Sequence, residues 1–492
     1  MLITTKTLKE VGCMSTNIVS EKKVTFKEIE KTIFERICEA GREATCEILQ
    51  TIDEAIAEKR DKAIYRDKGY RKTTIKTIYG EVEYKRHVYI KKDEEDQSVA
   101  VYLLDQELGM DTIGFISTNL AEKILTMVTN TPFRKTAEQI TETTGQTISH
   151  SGVWNMVQAF GEKLAGEEET LVQDFYTDRS RGAKGAPVLF EEMDGIWLKS
   201  QKDGGKKAPK MEVKVGTMYE GWKADSGKRS TLSGKTVVAG IESSETFLEK
   251  WEAKIQSKYD PAEIGLRVLN GDGGDWIKDD YDADSIRQLD RFHIVKAVRQ
   301  KAVRVDARRK MLDLLRRNKA EELVEYAQIY YDSIITNEGG KEEEDAKELR
   351  DYLWNHEDEI ANYKARSREI PEAPKGIVYK NMGVQENQNC TVIGLRMKGK
   401  RKRWGRETAN NMIRLLYYKE NHDLIDAIDR YTDGEVLIEP IRDKLKMPLS
   451  AAEANRTDCK GRNKYVDILN IHLPITDSSN SRTANVFRWL TY

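Results

Sequence analysis

The sequence predicts a multidomain protein of mixed α/β class. Three observations carry this expectation. The chain has 492 residues, too many for one core at roughly 100–200 residues per domain. Apolar runs of period two succeed one another between residues 188 and 289, broken by a single helical segment. Long stretches of helical period stand before and after that region. The expected divisions are 1–110, 111–175, 180–430 with a helical insertion at 295–375, and a tail at 431–492.

Residues 1–22 form a ragged lead without the apolar run of a signal peptide, and Met14 is an alternative start to Met1. From 25 to 63 the pattern is helical: Ile29, Ile33 and Ile37, then Ile48, Ile52 and Ile56, recur every four residues. The next stretch, YRDKGYRKTTIKTIYGEVEYKRHVYI, alternates β-branched and aromatic residues with Lys, Arg and Thr. It reads as two strands turned at Tyr79-Gly80-Glu81. Residues 59–92 hold 12 Lys and Arg against four acids, a local excess of eight. Two readings of this ribbon stand side by side. Its lysines guard a sheet edge against aggregation, or Arg71, Lys72 and Lys76 contact phosphates.

A helix is expected from Ser117 to Val128. In PFRKTAEQITETTGQTISHSGVWNMVQAFG, Pro132 opens another, with Ala137, Ile140 and Thr144 on one side. Gly145 supplies a stop with positive φ. Ser149 or Ser151 caps the following helix, which carries Val153, Trp154, Val157 and Phe160. Helix, short turn, helix is either an ordinary helical hairpin or a DNA-reading helix-turn-helix. In the second case Arg134, Lys135, Gln139, Ser151, Trp154, Asn155 and Gln158 meet DNA.

Strands are expected at 188–198, 211–217, 236–240, 266–269 and 286–289. Ser243 caps a helix between the third and fourth, bearing Phe247, Trp251 and Ile255. Residues 294–370 are helical and acidic, and have the character of an insertion because sheet-like sequence resumes at 376–380. Residues 383–430 read as helix, basic loop, helix.

Composition bounds the function. Lys and Arg number 81 and Asp and Glu 83, for a net charge of -2. That balance excludes a wholly basic binder but leaves local patches free to hold nucleic acid. No apolar run approaches the ~18 residues of a membrane helix, so no membrane partner is expected. Five cysteines (Cys13, Cys38, Cys46, Cys390 and Cys459), odd in number and without CxxC, give neither a disulfide framework nor a zinc set. A reducing, cytoplasmic setting follows.

The candidate chemistry lies in acids. Asp194, in LFEEMDGIWLK, interrupts an apolar strand, where burial without a partner costs several kcal/mol. Asp272, in VLNGDGGDW, sits where a strand exits into glycines. Each alone is compatible with local hydrogen bonding. If the first strand lies beside the fourth, the two carboxylates face one another and require a divalent cation between them. A third acid would complete a two-Mg²⁺ phosphoryl-transfer site. Glu386, in NMGVQENQNC, is the best candidate, because residues 396–406 after it hold seven basic residues and no acid. Lys398, Lys400, Arg401 and Arg403 in that loop are candidate phosphate contacts. Asp290 and His293 form a DxxH pair. No GxxxxGK[ST] loop is present, so ATP is not an expected partner, and neither HExxH nor GxSxG occurs.

Six blocks in order, DKGYRKTTIKTIYGEVEYKRHVY, TPFRKTAEQITETTGQTISHSGVW, EMDGIWLK, LNGDGGDWI, LDRFH and GVQEN…LRMKGKRKRW, resemble bacterial insertion-sequence transposases of the ISLre-two type. That family was long filed as uncharacterised and is related to Mutator-like DDE transposases. The resemblance implies an RNase H-like catalytic domain with a helical insertion before the last acid. It also implies the triad Asp194, Asp272 and Glu386 as catalytic residues and metal ligands. Mutator-like relatives carry CxxH after the second Asp; here Asp290 stands in the Cys position, and Asp290 and His293 are taken as supporting residues. The expected cofactor is Mg²⁺, two ions, with Mn²⁺ as a substitute. The expected partners are double-stranded DNA, namely terminal inverted repeats and target, and further copies of the chain, since two ends must meet. A bacterial, nucleoid-associated enzyme is the expectation. A non-catalytic DNA-binding regulator, an RNase H-type nuclease and a helical scaffold are the competing readings.

Overall fold

The computed structural model describes residues 24–434 except 94–95, 110–113, 202–207, 225–230, 275, 278–284, 336–339, 367–368, 400 and 433. The lead before residue 24, candidate Lys400 and the tail after 434 lie outside the described residues, with Cys13 and Cys459. No helix among the described residues is long and apolar enough to cross a membrane.

Helix α1 (Phe26–Lys59) opens with a capping box: the Thr25 hydroxyl accepts from Glu28 N (3.3 Å), and the Glu28 carboxylate accepts from Thr25 N (2.8 Å). Its second half buries Leu49 and Ile52 and packs on an antiparallel hairpin, β1 (Arg66–Thr77) and β2 (Gly80–Lys92), turned at the expected place. The hairpin gains a third strand, β3 (Ser98–Val101), too short for its period to show in sequence. Helix α2 (Leu103–Leu108) follows, and its Asp105 pairs with buried Arg86 of β2 at 2.7 Å. Part of the ribbon's basic excess is therefore internal.

Helices α3 (Thr118–Val128), α4 (Phe133–Thr143) and α5 (His150–Tyr176) come next, with Ser117 and Ser149 as the N-caps of α3 and α5. Gly145 departs from expectation, since it does not take a positive φ. Its requirement is steric. A Cβ there would lie 2.4 Å from the Tyr79 carbonyl oxygen, because the hairpin tip sits against the turn and Gly145 N donates to Ile78 O (2.9 Å).

The strands that follow are β4 (Lys184–Ala186), β5 (Leu189–Leu198), β6 (Met211–Tyr219), β7 (Gly221–Lys223), β8 (Leu232–Ser233) and β9 (Thr236–Gly240). Helix α6 (Ser244–Lys258) then leads to β10 (Tyr259–Ile264), β11 (Arg267–Gly271) and β12 (Ile286–Leu289). The central sheet has the order β12-β11-β5-β6-β9. β11 runs parallel to β5 and to β12, whereas β6 is antiparallel to β5 and β9. The first of the expected strands does lie beside the fourth.

Helices α7 (Arg291–Lys301), α8 (Val305–Arg316), α9 (Ala320–Asp332), α10 (Lys341–Asn355) and α11 (Glu357–Ile360) follow β12. They close around their own core, including Ile294, Met311, Leu323 and Leu349, with Leu289 of β12 joining it. The chain returns as β13 (Ile377–Val378), which pairs with β7. Helix α12 (Gln385–Gln388) continues through a π-helical turn (Asn389–Gly394) into α13 (Leu395–Met397); α14 (Arg406–Glu420) and α15 (Leu424–Thr432) follow.

The faces of β5 explain the packing. Leu189 and Met193 pack with Phe247, Trp251 and Ile255 of α6. On the other face, Ile196 and Leu198 share one core with Ile124, Ile140, Phe160, Met412 and Ile413. The helices of 111–175 are thus part of the sheet's own core.

Candidate metal centre

On the face of β5 that carries Ile196, the period of two also presents Glu192 and Asp194. Both are buried, at 0% and 7% exposure. The ladder pairs Asn270 with Glu192 and Gly271 with Met193. One step further in that register brings Asp272, just past the end of β11, beside Asp194. Carboxyl ends of parallel strands are where open α/β sheets place their ligands.

Three side chains converge. Asp194, Asp272 and His293 each offer one ligand atom, and these atoms lie within 4.8 Å of one another. The Asp194 oxygens are oriented by Gly195 N (2.7 Å) and by Asn389 Nδ2 (2.7 Å). Asp272 Oδ1 accepts from Gly274 N (2.9 Å), and the Tyr352 hydroxyl of α10 donates to the Asp272 carbonyl (3.2 Å). Asp290 caps α7 and accepts from His293 Nδ1 at 2.9 Å. A carboxylate only accepts there, so Nδ1 carries the proton and Nε2 is left as the lone-pair nitrogen.

The electrostatics agree. Burial raises the Asp194 carboxyl; the His293 charge opposes, while Asp272 and Glu386 add to the rise, and the group is pushed up to about 6. Burial alone would lower His293, but its bond to Asp290 and the charges of Asp194, Asp290 and Asp272 outweigh that and hold it above its ordinary value. Burial alone would raise Asp290, yet the bonds from His293 and Asn270 keep it low.

Two carboxylates and an imidazole nitrogen fit one divalent cation. The nitrogen donor makes Mn²⁺ a better match than Mg²⁺. Between its ordinary 3.8 and about 6, folded Asp194 keeps a proton that the unfolded chain has released. Without a cation, stability therefore falls as pH rises through that window. A cation needs the bare Asp194 carboxylate and the neutral His293 imidazole, which is held above its ordinary 6.5, so Mn²⁺ affinity is expected to rise from about pH 5 and to go on rising above pH 6.5 until His293 has lost its proton. Calorimetric titration checks this, and a pH-independent affinity would remove Asp194 from the ligands.

The other candidates are placed less uniformly. Glu386, in the first turn of α12, is exposed and outside the group of three, though close enough for its charge to act on Asp194. Arg71, Lys72, Arg134, Lys135, Ser151, Trp154, Asn155, Lys398, Arg401 and Arg403 are exposed, and Lys76 and Gln139 half-buried. Lys72 and Lys135 hold Glu83 (2.7 Å) and Glu138 (3.2 Å). Trp154 Nε1 donates to Thr408 (3.1 Å). Gln158 is turned inward: its Oε1 accepts from Asn411 of α14 (3.1 Å) and its Nε2 is buried. That is a correction to its expected DNA contact, because α5 packs this side on α14. Arg396, counted with the basic loop, is buried between the Phe133 and Trp404 rings and donates to Val128 O (2.7 Å).

Sequence reasoning missed Asn389 and Tyr352 and took His293 only as support. The DxxH spacing was the available signal for His293.

No curated protein matches this sequence. Among solved structures, a Drosophila P element transposase strand transfer complex matches at 10% identity over 63% of this chain and 83% of that one, with a TM-score of 0.20. At that distance neither fold nor function is carried across. Residues 19–429 match a family described as uncharacterised, which is most of the sequence, and the chain therefore belongs to the uncharacterised protein family UPF0236.

Proposed function

We propose that the protein is a DDE-type DNA transposase that cleaves and joins strands at the ends of its insertion sequence. The observation that carries this reading is the convergence of Asp194 within β5, Asp272 just past the end of the adjacent β11, and His293 in the first turn of α7. The mixed sheet, and the helical insertion standing before Glu386, fit an RNase H-like catalytic domain.

Divalent cations, when bound, would supply the charge that activates a water or a DNA 3′-hydroxyl and stabilises the departing oxygen. The chain's own residues hold and orient. Asp194, Asp272 and His293 Nε2 would hold one ion, and Asp290 keeps His293 in the liganding tautomer. Glu386, with Asp194, would hold a second. Lys398, Arg401 and Arg403 neutralise the backbone beside the cut, and little acid–base work falls to the protein. Arg71, Lys72 and Arg134 hold flanking duplex, and a homodimer or larger assembly holds two ends.

The test uses duplexes tiled across the DNA flanking the reading frame, with Mg²⁺ or Mn²⁺. Cation-dependent nicking followed by strand joining is expected. Nicking of RNA–DNA hybrids without joining would replace the reading with an RNase H-type nuclease, and binding without nicking would leave a regulator. Duplex affinity should fall at least ~100-fold between about 50 and 200 mM salt. A flat response would remove the exposed lysines and arginines as phosphate contacts.

A further inference from the structure

Glu191 and Glu192 are consecutive, buried, and on opposite faces of β5. Glu191 has an ordinary explanation in its pairing with Arg267 (2.6 Å). Glu192 is held instead by uncharged donors. Its carboxylate accepts from three successive backbone N–H groups: Gly383 (3.0 Å to Oε1), Val384 (3.0 Å to Oε2) and Gln385 (3.2 Å to Oε2). It also accepts from the Tyr219 hydroxyl (2.6 Å) and Asn270 Nδ2 (3.2 Å). The segment it grips runs directly into Glu386.

Asn270, its partner in the ladder, is the second half of the device. Asn270 Nδ2 reaches Asp290 Oδ1 (3.3 Å), and Asn270 Oδ1 accepts from Gln288 (3.1 Å). Asp194 and Asp272 stand two residues further along the same two strands. The sheet therefore carries an outer row that faces the cation and an inner row, Glu192 and Asn270, that fastens what completes it. Glu192 fastens the start of α12, and Asn270 fastens Asp290 and through it His293.

We propose that Glu192 is a positioning residue for Glu386, holding the Gly383–Gln385 backbone at the distance from Asp194 that the second ion requires. This rests on the strand-transfer reading above. Glu192→Gln is the sharpest variant, because all five partners are donors and an amide nitrogen would face donors. Its Mn²⁺ affinity, set by Asp194, Asp272 and His293, and its duplex affinity should stay within about threefold of wild type, while strand cleavage falls about 100-fold at unchanged KM. Glu192→Gln combined with Glu386→Gln should be no slower than Glu386→Gln alone, within about threefold, since both act through one carboxylate. Multiplying losses, or a Glu192→Gln rate within about threefold of wild type, would overturn the proposal.

Hydrogen exchange of the wild-type chain gives a readout independent of activity and of whether the variant folds. The amides of 383–385 should be protected as strongly as those of β5. Exchange at the rate of an open loop would overturn the tie. A wild-type chain that never cleaves removes the strand-transfer reading, while the exchange result still decides whether Glu192 holds the loop.

Discussion

On the proposed strand-transfer reading, Asp194→Asn is expected to abolish strand cleavage and to leave duplex binding intact. The carboxylate is 7% exposed, lies among the three ligand atoms within 4.8 Å, and has both oxygens oriented by donors. The amide keeps the size but replaces one acceptor with a donor that faces Asn389 Nδ2 or Gly195 N. It also lacks the charge that offsets a divalent ion. A cation is worth several kcal/mol to a phosphoryl-transfer barrier, so the expected loss is at least ~1,000-fold. Duplex affinity should move less than about threefold, because phosphate contacts set it. Gel-based cleavage and anisotropy binding on one preparation measure both. Joining at wild-type rate would overturn the metal assignment.

Arg267→Met has the largest expected effect on stability. Arg267 of β11 is 8% exposed and bridges Glu191 of β5 (2.6 and 2.8 Å) and Glu252 of α6 (3.0 and 2.5 Å). Burial would lower its affinity for a proton, but the two carboxylates outweigh burial and hold it far above its ordinary value. Removing the guanidinium leaves two buried anions, of which Glu191 keeps only Trp251 Nε1 (2.8 Å) as a donor. Breaking one side of a buried ion network costs about 3–5 kcal/mol. Urea unfolding should show that loss. Adding Glu191→Gln and Glu252→Gln should restore most of it, because the penalty is uncompensated charge rather than missing volume. A loss under about 1 kcal/mol would mean that water reaches the carboxylates.

How much of this was legible in sequence depends on range. Strands β5, β6, β9, β11 and β12 were readable because their periods run four to ten residues. Strands β3, β4, β7, β8 and β10 were not: most are two to four residues long, and β10 (YDPAEI) lacks an apolar alternation, whereas β13 lies within the sheet-like stretch expected at 376–380. Asp194 and Asp272 stood out as acids set in or just after apolar strands. Glu192 did not, and the three backbone donors that hold it lie about 190 residues away. Arg396 was counted with the basic loop and given no contact of its own. Its neighbours are Val128, 268 residues distant, and two aromatic rings that no local pattern brings to it. Gly145 was read as a helix stop with positive φ, an angle it does not take; what requires glycine there is the Tyr79 carbonyl across a tertiary contact. Local chemistry was readable, and contact between distant segments was not.

The turn after β11 has a mechanical consequence. Gly273 sits at φ +86°, and a Cβ there would come 2.8 Å from His356 Nε2, while Tyr352 grips the Asp272 carbonyl. The end of α10, with His356 just after it, thus lies against the turn that carries Asp272. The insertion behaves as a lever whose short arm is Asp272. A displacement of α10 therefore bears directly on the Asp272 turn, whereas lengthening the α8–α9 connection touches neither contact.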